Sequence, residues 1–133
     1  MAKTQYKAKP IGAKPDFTLH LPSYVKRVRK VLDNNPEILK RGACEYKCKN
    51  GSTCIIGAGL TKKQLNIVGT HQWNTENVQQ LIENNVMRVD KRYAKRLRNL
   101  QLSFDQGTKE QTRLRFRHLE ESVKKNFPAS FKN

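Results

Sequence analysis

Six apolar side chains, Val86, Val89, Tyr93, Leu97, Leu100 and Phe104, recur at steps of 3, 4, 4, 3 and 4. That spacing keeps all six on one side of an α-helix, so a helix over 86–104 must find a core to pack against. Arg88, Lys91, Arg92, Lys95, Arg96 and Arg98 cover most of its remaining surface, opposed by Asp90. Residues 105–108, with Gly107, read as a turn. Thr108 and Gln111 then have the form of a capping box, in which each side chain satisfies the other's backbone N–H. They open a last helix to about Asn126, with Phe116, Leu119, Val123 and Phe127 inside. Two long helices joined by so short a turn predict an antiparallel helical hairpin.

Upstream, the pattern is of shorter pieces. Residues 1–18 hold four lysines, two prolines and one glycine among few large apolar side chains, the composition of a basic, extended arm. Ser23 is placed to cap a helix over 23–34, with Val25, Val28 and Leu32 in one stripe and Lys26, Arg27, Arg29 and Lys30 on its surface. Asn35-Pro36 starts a short helix through Ile38 and Leu39, which Gly42 would stop. Residues 42–60 contain all three cysteines and four of the seven glycines. There, Asn50-Gly51 between strand-forming runs signals a two-residue hairpin loop, because both central residues need φ > 0. That register sets Cys48 against Thr53, Lys47 against Cys54 and Tyr46 against Ile55, giving a hairpin at 43–56. Thr61 and Gln64 form a further capping box for a short helix through Leu65 and Val68. A loop with His71 and Trp73 follows. Asn74 or Thr75 would cap a helix through Val78, Leu81 and Ile82, which Asn84-Asn85 breaks.

The fold expected is therefore mainly α: a compact helical domain over 19–133 with one small β-hairpin and a basic N-terminal arm at 1–18. A chain of 133 residues is long enough to bury a core without staples. Its three cysteines, an odd count, fit a reducing compartment. No apolar run approaches the roughly 20 residues of a membrane span, and the basic start has no hydrophobic segment behind it to make a secretory signal. A cytoplasmic location follows as the expectation, the host cytoplasm if the protein is phage-encoded.

Charge carries the functional reading. Lys and Arg number 27 against 11 Asp and Glu, a formal +16. Residues 1–50 have 12 basic and 4 acidic side chains, 51–85 have two of each, and 86–133 have 13 and five. Charge so lopsided points to a polyanionic partner, first of all nucleic acid, with an acidic protein as the alternative. The residues expected to contact phosphates are Lys26, Arg27, Arg29 and Lys30, then Arg88, Lys91, Arg92, Lys95, Arg96 and Arg98, then Arg113, Arg115 and Arg117. Cations spread along helices suit backbone contact better than base readout, so little sequence specificity is expected. A solvated charged face is the competing account of the same residues. Trp73 and His71 could stack on a base, or Trp73 could lie in the core.

Other chemistry finds less support. Cys44, Cys48 and Cys54, with His71 or His20, are the candidate zinc ligands, but the spacing is C-x3-C-x5-C and not a tight knuckle. On one strand Cys44 and Cys48 would stand about 13 Å apart, against the ~4 Å between sulfurs sharing a zinc. Cys54 would also point to the opposite face. Buried cysteine is the reading preferred, and no cofactor is expected. A nucleophilic cysteine with His71 as base lacks an orienting acid, and no paired carboxylates, phosphate loop or HExxH pattern occurs. The chain is not expected to be an enzyme.

From Ile38, the segment ILKRGACEYKCKNGSTCIIGAGL resembles small proteins, frequent in phage genomes, that carry a Gly, a hairpin and a terminal C-x-x-G-A-L. Cys54, Gly57 and Ala58 match, and an extra Gly59 precedes Leu60. Those proteins often have a later L-x-x-[LI]-Q-x-x-x-D run, and Leu97, Leu100, Gln101 and Asp105 are similar. The resemblance covers about a third of the chain and implies an architecture and a phage origin. It carries no activity onto particular residues, and strong basicity is not a feature of that group. With it, the alternative becomes a phage-encoded inhibitor docking on an acidic host protein through its basic surface.

Overall fold

A computed structural model describes residues 14–39, 46–47, 51–70 and 73–132. The chain is mainly helical with one small two-stranded sheet. Strand β1, Phe17–Thr18, pairs in parallel with β2, Met87–Arg88. The pairing continues at both ends, where Phe17 N–H donates to the Val86 carbonyl (3.2 Å) and Leu19 N–H to that of Arg88 (2.8 Å). Residues 17–18, expected in the free arm, thus belong to the folded body. Residues 1–13 lie outside the described residues.

Helix α1, Leu21–Asn34, starts two residues earlier than expected. His20 takes the N-cap position and Pro22 sits in the first turn, where its missing N–H would have had no partner anyway. Ser23 is inside the helix and bonds His20 Nδ1 at 2.7 Å. Tyr24, Val25, Val28 and Leu32 are buried. A 3-10 turn, Pro36–Ile38, follows, and Leu39 makes a parallel bridge with Thr53.

The second arm of the expected hairpin is a helix. Thr53, expected opposite Cys48, makes its bridge with Leu39, and Ile55–Ala58 form α2. A strand would send Ile55 and Ile56 to opposite faces, whereas α2 buries both completely. Cys54 caps it, its Sγ accepting from Gly57 N–H at 3.4 Å. Tyr46, expected opposite Ile55, instead bonds through its N–H to the Asn74 carbonyl. Gly51 does adopt the left-handed conformation a tight turn needs (φ +87°). Residues 40–45 and 48–50, which include Cys44, Cys48, Asn50 and most of the expected first arm from residue 43, lie outside the described residues.

Helix α3, Lys62–Val68, carries the expected Thr61–Gln64 capping box. Helix α4, Val78–Glu83, is capped not by Asn74 or Thr75 but by Asn77, whose box with Gln80 is complete in both directions. Asn85, at φ +59°, turns the chain out of it.

Helix α5 is Lys91–Gln106, five residues shorter at its start than expected. Asp90 caps it, accepting from Arg92 N–H at 2.9 Å, and 87–88 belong to β2. Val86 and Val89 flank β2 and are buried from outside any helix, so they keep the helical period without being helical. Helix α6, Lys109–Asn126, begins at the Thr108–Gln111 box, as expected, and packs on α5 along its length. Tyr93, Leu97, Leu100 and Phe104 of α5 meet Phe116, Leu119 and Val123 of α6 in one core cluster. Burying each such side chain contributes about 1.5–3 kcal/mol. Asn126 Nδ2–H donates to Tyr93 Oη (2.6 Å) and Tyr93 Oη–H to the Ser122 carbonyl (3.3 Å), which fixes the far end of the pair. A 3-10 turn, Pro128–Phe131, closes the described chain.

Candidate nucleic-acid interface

With Tyr93, Leu97, Leu100, Gln101 and Phe104 turned inward, the cations of α5 sort by the 100° turn between residues. Lys91 and Lys95 point away from the core. Arg98 leans toward α4, where with Lys95 it borders a groove floored by Ile82 and Ala94 and containing Glu83. Arg96 leans the other way, into the groove between α5 and α6. His118, Glu121, Ser122, Lys125 and Asn126 complete that groove. Arg115 lies on the same flank of α6. Two stripes result: Arg96 and Lys125 line the α5–α6 groove with His118, while Lys91, Lys95 and Arg98, at i, i+4 and i+7, run along the α4 side of α5. Glu121 is the acid bordering the first.

His118 and Lys125 were not singled out from sequence. Their signal was the step His118, Ser122, Lys125, a polar i, i+4, i+7 stripe opposite the apolar one.

Several expected contact residues serve the fold instead. Arg27 is half-buried and donates through Nε–H to the Gly59 carbonyl at 2.6 Å; burial lowers its pKa. Arg29 is tied to Glu120 and Asp33 and lies 5.1 Å from the Phe116 ring centre. The bonds to Glu120 raise its pKa further. Lys26 bonds the Ser130 carbonyl, and its ammonium stands over the Phe131 ring (5.0 Å), with Lys124 also near that ring (5.8 Å). Arg92 pairs with Asp90 at 2.8 Å and spreads over Tyr93 and Phe127. Lys30 is exposed on α1 and Arg88 on β2, neither on the α5–α6 face. Arg113 and Arg117 turn toward α1, lining a groove with Arg29, Leu32, Glu110 and Leu114. The thirteen cations do not form one site. Arg96 lies in the α5–α6 groove, Lys95 and Arg98 border the groove beside α4, and Lys91 and Arg115 are exposed on α5 and α6.

Trp73 is 8% exposed and belongs to the core, so it offers no platform for a base. The described tyrosines are all buried, and Phe127 and Phe131 are half-buried beneath cations. Cys54 is buried at the head of α2. Of the other candidate zinc ligands, His20 bonds Ser23 at the start of α1, and Cys44, Cys48 and His71 lie outside the described residues, within which no three His, Cys, Asp or Glu side chains gather as a metal site. No described helix is long and apolar enough to cross a membrane.

Compared with known proteins, the chain matches no family model, no curated protein and no solved structure.

Proposed function

We propose that this protein binds nucleic acid through the phosphate backbone, using the outward face of the α5–α6 pair. The observation that carries the reading is that Arg96 and Lys125, from two helices, line one groove, with Lys91, Lys95 and Arg115 exposed on the same packed pair. Lys91 and Lys95 stand about 6 Å apart along α5, and Arg115 and Lys125 about 15 Å apart along α6, so the packed pair presents phosphate-binding cations without an ordering cost for the backbone. The core between the helices is what keeps the array in place.

Duplex is favoured over single strand. Proteins that hold single strands present aromatic rings for bases to stack on. Among the described residues, Trp73, Tyr24, Tyr46 and Tyr93 are buried and the half-buried Phe127 and Phe131 already lie beneath side-chain cations, so phosphate contact is the interaction those residues offer. Phosphate contacts position a protein but do not read bases, so binding is tolerant of sequence.

The experiment is binding of a labelled random duplex and a random single strand by the full chain, across salt. Five neutralised phosphates give a log–log salt slope of about −4.5 on duplex. Absence of binding at low salt, where electrostatic attraction is strongest, overturns the reading.

A further inference from the structure

A second surface has a different chemistry. The groove between α1 and the first half of α6 runs across two adjoining cavities of about 270 and 350 Å³ that share Leu32 and Arg113. Its floor is apolar: Leu32, Leu39 and Phe104 in one cavity, Leu32 and Leu114 in the other. Leu114 is 44% exposed and is the one large hydrophobic side chain so exposed among the described residues. Along the rim, Lys109, Arg113 and Arg117 recur every four residues of α6, about 6 Å apart. The opposing acids are Glu37 in the first cavity and Glu110 in the second, while Arg117 also reaches Glu121 at 3.7 Å.

We propose that this groove docks an acidic amphipathic helix of a protein partner. Two apolar side chains three or four residues apart on that helix fill the two cavities, and carboxylates one turn apart meet Lys109, Arg113 and Arg117. A nucleic-acid backbone satisfies the cations equally but gains nothing from Leu32, Leu39, Phe104 and Leu114. The apolar floor is therefore what selects peptide over phosphate. Arg29 does not compete for the ligand, being held by Glu120 and Asp33. The inference does not depend on the α5–α6 face binding nucleic acid, since the two surfaces lie on different flanks of α6.

The test is fluorescence anisotropy of the full chain with a labelled synthetic helix of about four turns, with leucine along one edge and glutamate elsewhere. A matched peptide with serine in place of leucine is the control. Saturable binding is expected, weakened about tenfold or more by the leucine-to-serine change and by Leu114→Glu or Arg113→Glu in the protein. Both protein positions are exposed, and an unchanged circular dichroism spectrum shows that the variants fold. Lys95→Glu with Arg96→Glu should weaken duplex binding and leave peptide binding intact. Equal binding of the leucine and serine peptides would reduce the groove to a charged surface and overturn the proposal. So would no saturable binding, or no effect of Leu114→Glu. Self-association of the free chain that Leu114→Glu abolishes would make a second copy the occupant and overturn it as well.

Discussion

Arg29 presents Nε and Nη2 to the two carboxylate oxygens of Glu120 at 3.0 and 2.8 Å, a bidentate pair that ties α1 to α6. Glu120 is only 8% exposed, so its charge depends on this partner. Arg29→Ala leaves that carboxylate without its guanidinium, a larger loss than removal of a surface ion pair. With the guanidinium itself partly open to solvent, a stability loss of about 1–2 kcal/mol is expected in urea denaturation. The salt slope of duplex binding should not move, because this cation is already spent on the fold.

Gly59 and Gly51 make opposite demands. A Cβ at Gly59 would land on the ring of Tyr24 and on Val28, both fully buried in α1, so nothing can yield cheaply. Gly59→Ala should cost about 1–3 kcal/mol by overpacking. At Gly51 a Cβ meets no atom within 4 Å, but φ is +87°. Gly51→Ala should cost about 1–2 kcal/mol through backbone strain alone. Replacing Tyr24 by leucine should recover part of the first loss and none of the second, as measured by thermal unfolding of the double variants.

Stability on the acid side should report Asp90. The guanidinium and N–H of Arg92 hold its carboxyl below the usual carboxylate range. A carboxylate with a lowered folded pKa contributes stability that is complete above its unfolded value of about 3.9 and is lost as pH falls through the folded one. Thermal unfolding between about pH 2 and 6 should therefore show a decline for the wild type below about pH 4. Asp90→Asn should be less stable at neutral pH and decline less steeply on acidification.

How much of this was legible in the sequence depended on how far away the deciding partner lay. The Thr61, Thr108 and apolar-stripe signals are local, and the helices they predict are present. The start of α5 failed because Val86 and Val89 keep the helical period, while Phe17, far upstream, recruits 87–88 into a strand. The second hairpin arm failed because burial of both Ile55 and Ile56 outweighed an Asn-Gly turn signal. At the candidate interface, residue type was readable but direction was not. Arg113 and Arg115 are two residues apart, yet one turns to α1 and the other to the α5 flank, and only the packing of α6 between two neighbours decides it. Gln101 likewise gave no sign of its place beside buried Tyr46, where Nε2–H donates to the phenol and Oε1 accepts from Val78 N–H.

The sharpest separation of binding from folding is between the cations of α5 and Arg27 of α1. Lys95 and Arg96 are exposed and have no acidic partner among the described residues, so Lys95→Glu with Arg96→Glu should leave the unfolding midpoint nearly unchanged. It should also remove two phosphate contacts, flattening the salt slope of duplex binding by about 2. Arg27→Ala should do the reverse. Its Nε–H donates to the Gly59 carbonyl, so the loss appears in denaturation, about 1–2 kcal/mol, while the slope holds. Net charge falls in both variants, by four units in the first and one in the second. If duplex affinity followed net charge irrespective of position, Arg27→Ala would weaken binding about a quarter as much as the double variant in log units, with no face distinguished. A flattened slope confined to the α5 variant would place the contact on the α5–α6 pair.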